Sequence, residues 1–193
     1  LFIPAAICAL AVCPLASARA DGPAPPRAYG RIEVVRDRWG VPHVFAATDA
    51  GAMYGLGWAT AAERGCQMHY SLRIIQGRLA ELLGERPHGR RRETAVDSDR
   101  KMRTFGFHAA ARQVAANLEA GTLELLTAYS AGVNAWFAAH RDELHPVMRQ
   151  IGLSPEPWTP ADCIASWWHL GQFFATDGTR DLISWRNAAG RGG

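Results

Sequence analysis

The chain has 193 residues, 48% hydrophobic, 20% charged and 9% aromatic, which excludes a disordered or fibrous polypeptide and sets room for one globular unit. Its 21 Lys and Arg stand against 18 Asp and Glu, and a net charge of +3 exerts no strong pull on nucleic acid or anionic lipid. Lys101 is the one lysine, so Schiff-base and lysine general-base chemistry is all but excluded.

Residues 1–15 are apolar apart from Pro4 and Pro14, and Ala18-Arg19-Ala20 follows as a small-x-small site, so residues 1–20 read as a secretory signal peptide whose own start is missing. Fifteen residues broken by prolines fall short of the ~20 that a membrane span needs. Cys8 and Cys13 leave with the signal. Cys66 and Cys163 then remain, as a disulfide pair or as two buried thiols. Residues 21–28 form a Pro-rich lead-in, and the folded body is expected from Tyr29.

From there β-branched residues 32–36 and the run 41–46 flank a turn signal at Arg38-Trp39-Gly40, a hairpin in which Pro42 must sit at an edge or bulge. The period then becomes helical. Asp49 is the expected cap of a helix reaching residue 76, with Met53, Leu56, Ala59, Ala62, Cys66, Met68, Leu72 and Ile75 inward and Gly77 and Gly84 as stops. Residues 85–99, with Arg86 and Arg90-Arg91-Arg92, read as a solvated loop rather than a nucleic-acid site. Helices are expected over 100–118 and 122–140. A capping box at Thr159-Pro160-Ala161-Asp162 opens a last one to residue 175, with an aromatic face of Trp167, Trp168, Phe173 and Phe174.

Few residues carry a recognisable catalytic pattern. Seven histidines include no HExxH pair, there is no phosphate loop, and Tyr129-Ser130-Ala131-Gly132 is half of a nucleophile elbow in a helical context, so Ser130 reads as a helix serine.

Four separated blocks nevertheless carry a resemblance. They are Val35-Arg36-Asp37-Arg38-Trp39-Gly40-Val41-Pro42-His43-Val44 with Tyr54-Gly55-Leu56-Gly57-Trp58-Ala59; Glu63-Arg64 and Gln67-Met68 leading to Gln76-Gly77-Arg78-Leu79-Ala80-Glu81-Leu82-Leu83-Gly84; Tyr129-Ser130-Ala131-Gly132-Val133-Asn134-Ala135-Trp136; and Glu156-Pro157-Trp158-Thr159-Pro160-Ala161-Asp162. In this order they resemble the amino-terminal part of the penicillin acylase family, which includes penicillin and cephalosporin acylases and acylases of acyl-homoserine lactones.

The resemblance implies an exported proenzyme, periplasmic or secreted, that cuts itself into a small (alpha) and a large (beta) chain, with this sequence similar to the small one over residues 29–185. The implied fold class is mainly α with an N-terminal β-hairpin, the small-chain part of an αββα N-terminal-nucleophile hydrolase sandwich. No catalytic residue is expected in this chain. The nucleophile would be a serine opening the large chain, its free α-amino group acting as base, since a lone hydroxyl is a poor nucleophile near neutral pH. Residues 186–193 read as spacer or truncated end. The implied partners are the large chain and a small acylated amide, with neither nucleic acid nor membrane. Carried over by position, Trp168, Gly171, Gln172, Phe174 and Ala175 line the acyl pocket, and Asp181 is a ligand of a structural Ca²⁺. Gly171 and Ala175 replace bulky Met and Phe of the penicillin G enzymes, and Phe174 replaces an arginine, which permits a deeper pocket. The competing expectation is a degenerate, non-catalytic helical binding module.

Overall fold

Asp37 folds the first two strands onto each other. In the computed structural model, which describes residues 27–88, 93–175 and 178–189, a 3-10 turn (Arg27–Tyr29) leads into β1 (Ile32–Arg36), antiparallel to β2 (Pro42–Ala46) with Val34 opposite Val44 and Arg36 opposite Pro42. The Asp37 carboxylate accepts the N–H groups of Trp39 at 2.8 Å and Val41 at 2.9 Å, while Gly40 takes a φ of +80° that only glycine adopts freely. Pro42 costs nothing here because a two-stranded sheet has free outer edges. The hairpin lies on the next helix at Gly55, where a Cβ would stand 2.5 Å from Val44 and 3.0 Å from Ile32. Phe45 remains exposed on the other face. The leader, most of the lead-in, Arg90 to Arg92 and residues 190–193 lie outside the described residues.

α1 (Asp49–Ile75) is capped by Thr48 rather than by Asp49: the Thr48 hydroxyl accepts the Gly51 N–H at 3.0 Å, and Asp49 supplies a first-turn carboxylate instead. Gly77 at φ +64° ends it as expected. Its buried stripe is the expected one only in part, at Ala59, Leu72 and Ile75. Leu56 is exposed, and the face turned inward is Tyr54, Gly57, Trp58, Ala61, Gly65, His69, Leu72 and Arg73. The reason is the partner helix. α2 (Ala80–Leu83) follows, then the paired dipeptides β3 (Pro87–His88) and β4 (Glu93–Thr94). The expected loop over 85–99 is therefore corrected at its second half: α3 (Ala95–Phe105) starts there, because Thr94 and Asp97 close a capping box at 2.7–3.3 Å. The expected helix 100–118 is broken at Gly106, φ +68°, which separates α3 from α4 (Phe107–Ala115).

α5 (Ala120–Ala139), capped by Glu119, crosses α1 at glycine: a Cβ on Gly57 would run into the Tyr129 carbonyl, and one on Gly132 into the Tyr54 carbonyl. Two backbones can come this close only without side chains between them. A short α6 (Pro146–Ile151), unforeseen in the sequence, is capped by His145. α7 (Pro160–Phe174) and α8 (Gly178–Ala189) complete the chain. The core joins Ala61 and Leu72 of α1, Val133 and Phe137 of α5, Met148 of α6, Leu153, Trp158 and Cys163. α7 packs its Ala161 and Ala165 against Ala111 of α4. The described chain is thus mostly helical with an N-terminal antiparallel hairpin. No helix among the described residues is long and apolar enough to cross a membrane.

Candidate functional site: the outer side of α7 and the cleft between α1 and α7

α7 begins where its sequence directs. Both oxygens of Asp162 are engaged, Oδ2 accepting the Thr159 N–H at 2.8 Å and hydroxyl at 2.6 Å, Oδ1 lying 3.0 Å from His108 Nε2 of α4. The helix then turns its aromatic end outward. Trp167 is 75% and Phe174 73% exposed, and α8 prolongs this with Leu182 at 68% and Trp185 at 71%. Trp167, Leu182 and Trp185 are thus large apolar side chains left largely open to solvent, the kind of surface that marks a contact site.

Between α1 and α7 opens a cleft of about 780 Å³, lined by Met68, Ile75, Tyr129, Trp158, His169 and Leu170. Burial, with Lys101 as a secondary cause, holds the His169 imidazole below its ordinary pKa, so it is neutral at pH 7. Of the residues assigned to the acyl pocket, Gln172 is half-buried and Trp168, Gly171, Phe174 and Ala175 are exposed. A Cβ on Gly171 would meet no atom within 4 Å. None of the five is among the residues lining this cleft. Asp181 falls in α8 with its side chain outside the described residues, and among those described no three His, Cys, Asp or Glu side chains gather as a metal cage.

Ser130 donates its hydroxyl to the Leu126 carbonyl at 2.7 Å and lies 3.9 Å from Cys163 Sγ, with no imidazole at hand to take its proton. Cys66 and Cys163 are free thiols, both pushed up in pKa by burial and so protonated at neutral pH. Neither the serine nor the thiols can serve as activated nucleophiles in this arrangement.

The other motif residues turn out to be joints between the blocks. Arg73, buried on α1, meets Glu156 at 2.6 Å, and Arg78 meets Glu156 at 2.9 Å and Glu81 at 2.8 Å. Burial alone would raise the Glu156 carboxyl, but its hydrogen bonds to Arg78 and Arg73 prevail and hold it below the usual carboxylate range. Asn134 clamps the backbone of Trp158, accepting its N–H at 2.7 Å and donating to its carbonyl at 2.9 Å. Asp99 accepts the N–H groups of Leu79 and Ala80 at 2.7 and 2.9 Å, and Arg103 Nε donates to the Gly77 carbonyl at 2.8 Å. Sequence reasoning quoted most of these residues as a pattern without seeing that they bind one another. The available signal was an arginine, Arg73, flanked by Leu72 and Ile75 on an otherwise apolar helix face.

The sequence profile of the Penicillin amidase family matches residues 31–192. Among curated proteins, the chain is 36% identical over 140 residues to the penicillin acylase 2 proenzyme of Pseudomonas sp. strain SE83, covering 72% of this chain and 17% of that protein. It is 34% identical over 132 residues to the acyl-homoserine lactone acylase QuiP of Pseudomonas aeruginosa, covering 68% and 14%. Among solved structures it resembles the thermostable penicillin G acylase from Alcaligenes faecalis with a TM-score of 0.65 at 27% identity, covering 84% of this chain and 85% of that one, so the two superposed chains are of nearly equal length. The chain spans less than a fifth of the length of the curated relatives it matches. With the four sequence blocks bound to one another in the fold and the profile spanning all of them, the chain belongs to the penicillin amidase family.

Proposed function

We propose that this chain is the small subunit of an exported acylase that hydrolyses the amide bond of acylated compounds, penicillin-type or N-acyl-homoserine lactone, with the nucleophilic serine and its base supplied by a large chain. The observation that carries this reading is the outer side of α7 and α8, where Trp167, Leu182 and Trp185 are exposed, in a chain whose Ser130 hydroxyl and described thiols lack an activating base. A large chain would cover that face and extend the free edges of β1 and β2 into the sheet of an αββα sandwich. The likeness in fold to the penicillin G acylase chain supports the acylase part of this reading.

In such a complex the small chain does no bond-breaking. Gly171 and Ala175 leave room along α7 for a longer acyl group, while Trp168, Gln172 and Phe174 supply its wall. Asp181 is this chain's proposed donor to a structural Ca²⁺, a hard oxygen ligand whose companions would come from beyond the described residues. Export to the periplasm or medium is part of the same proposal, resting on residues 1–20. The test is complementation: the chain is produced with the large chain of the Pseudomonas SE83 relative, and acid release from acyl amides is followed. Hydrolysis by the pair and not by either chain alone supports the assignment. Activity of the small chain by itself, surviving Ser130→Ala, overturns it.

A further inference from the structure

Residues 153–159 cross the core as a strap with neither helix nor strand of their own. Side chains hold them in place: Glu156 by Arg73 and Arg78, the Trp158 backbone by Asn134, and the Trp158 indole N–H by Cys163 Sγ at 3.2 Å. Beneath the strap lies His69, 3% exposed, its ring edge-on to Phe137 at 4.7 Å and to Trp158 at 5.8 Å. Its Nε2 has no hydrogen-bond partner.

We propose that His69 is an acid-operated release for this strap: protonation of the imidazole unseats Trp158 and frees residues 153–159 from α1 and α5. The ring is walled by aromatics, so a charge on it has no water. The charged groups around it are Arg73 from its own helix, Glu156 from the strap and Asp162 from α7, while α5 presents Phe137. Arg73 repels an imidazolium. The two carboxylates pull the other way but are outweighed by burial and Arg73, Glu156 having one oxygen on Arg73 and the other on Arg78, and Asp162 its two on Thr159 and His108. A proton is therefore taken up more readily with the strap open.

Burial first, and Arg73 second, bring the closed imidazole down to about 4 from its ordinary 6.5. The sign follows: the closed form is favoured fully above pH 6.5, and the advantage is lost progressively as the pH falls toward 4. With those two values, the open-to-closed ratio rises about 30-fold between pH 8 and pH 5. Glu156, held below the ordinary carboxylate range, stays ionised over that interval and does not contribute to the change.

Hydrogen exchange read by mass spectrometry on the full-length protein tests this, with the Trp158 amide as reporter because its hydrogen bond to Asn134 exists only when the strap is seated. After correction for intrinsic rates, strap protection in the wild type should drop about 30-fold from pH 8 to pH 5 while α1 and α5 stay protected, and should stay within about threefold in His69→Leu and His69→Gln. Equal loss in wild type and variants, an unmoved wild-type strap, or simultaneous loss across α1 and α5 overturns the proposal. Should neither variant fold, the wild-type imidazole resonances decide. A His69 that titrates at the ordinary 6.5 with the strap still protected refutes it.

Discussion

Gly132 and Ser130 sit two residues apart in one motif, and the structure assigns them opposite weights. A methyl group on Gly132 would run into the Tyr54 carbonyl and lie 2.9 Å from the Trp58 amide nitrogen, both backbone atoms of a long buried helix that cannot step aside. Gly132→Ala therefore sets two effects against each other. Helix propensity favours alanine by about 1 kcal/mol, whereas overpacking a tight site costs about 1–3 kcal/mol and more where the clash is with backbone, as here. Overpacking wins, and a net loss of about 2 kcal/mol is expected. For a chain of this size that lowers Tm by roughly 4–8 °C. Ser130→Ala gives up only a hydroxyl that donates to the Leu126 carbonyl one turn back, together with a long contact to Cys163, and should cost under about 1 kcal/mol. The assay is thermal denaturation followed by circular dichroism at 222 nm, on both variants under the same conditions. A Gly132→Ala protein melting at or above the wild type would refute the close α1–α5 crossing, because helix propensity alone predicts that outcome.

Glu156→Gln leaves the buried Arg73 only its longer contact to Glu81 at 3.6 Å and should destabilise by about 1–3 kcal/mol, the lower part of the range for a broken buried pair because the carboxylate is partly exposed; a shifted denaturant midpoint with an unchanged m-value checks it. The wild type should also lose the stability that Glu156 contributes once the pH falls below its ordinary 4.5 and through its lowered folded value, and the variant should lack that part of the acid limb in a pH series of melts. Asp99→Ala removes the acceptor of the Leu79 and Ala80 N–H groups, and a loss of about 1–2 kcal/mol by urea denaturation is expected. With a large chain in place, Gly171→Met with Ala175→Phe should exclude about three methylenes of acyl chain, roughly 2.4 kcal/mol or 60-fold in kcat/KM for long substrates, with short ones little affected. A uniform fall across an acyl-length series would instead mark these positions as packing.

The hairpin, the long first helix, its glycine stop and the start of α7 were legible along the chain, because each rests on local causes: β-branched runs around a turn, the helical period, and caps that bind within four residues. The family was legible too, since its pattern is one of residues in order. The start of α3 could have been read from Thr94 and Asp97, had the arginines before them not suggested a loop. What the chain by itself could not disclose was which face of α1 turns inward. Counting apolar residues selected Leu56, while the fold selected Gly57, Ala61 and Gly65, because the closest approach of two helices falls where side chains are smallest, and that depends on the glycine of the other helix, Gly132. The same holds for Arg73 with Glu156 and for Asn134 with Trp158: Glu156, Asn134 and Trp158 stand in the sequence as motif letters and Arg73 lies between two such motifs, but only tertiary packing brings partners 83 and 24 positions apart within hydrogen-bond reach. The aromatic face of α7 shows the same limit, since hydrophobicity records only that Trp167 prefers to be covered; the tertiary structure turns it outward, because α7 seats its small residues Ala161 and Ala165 against Ala111 of α4.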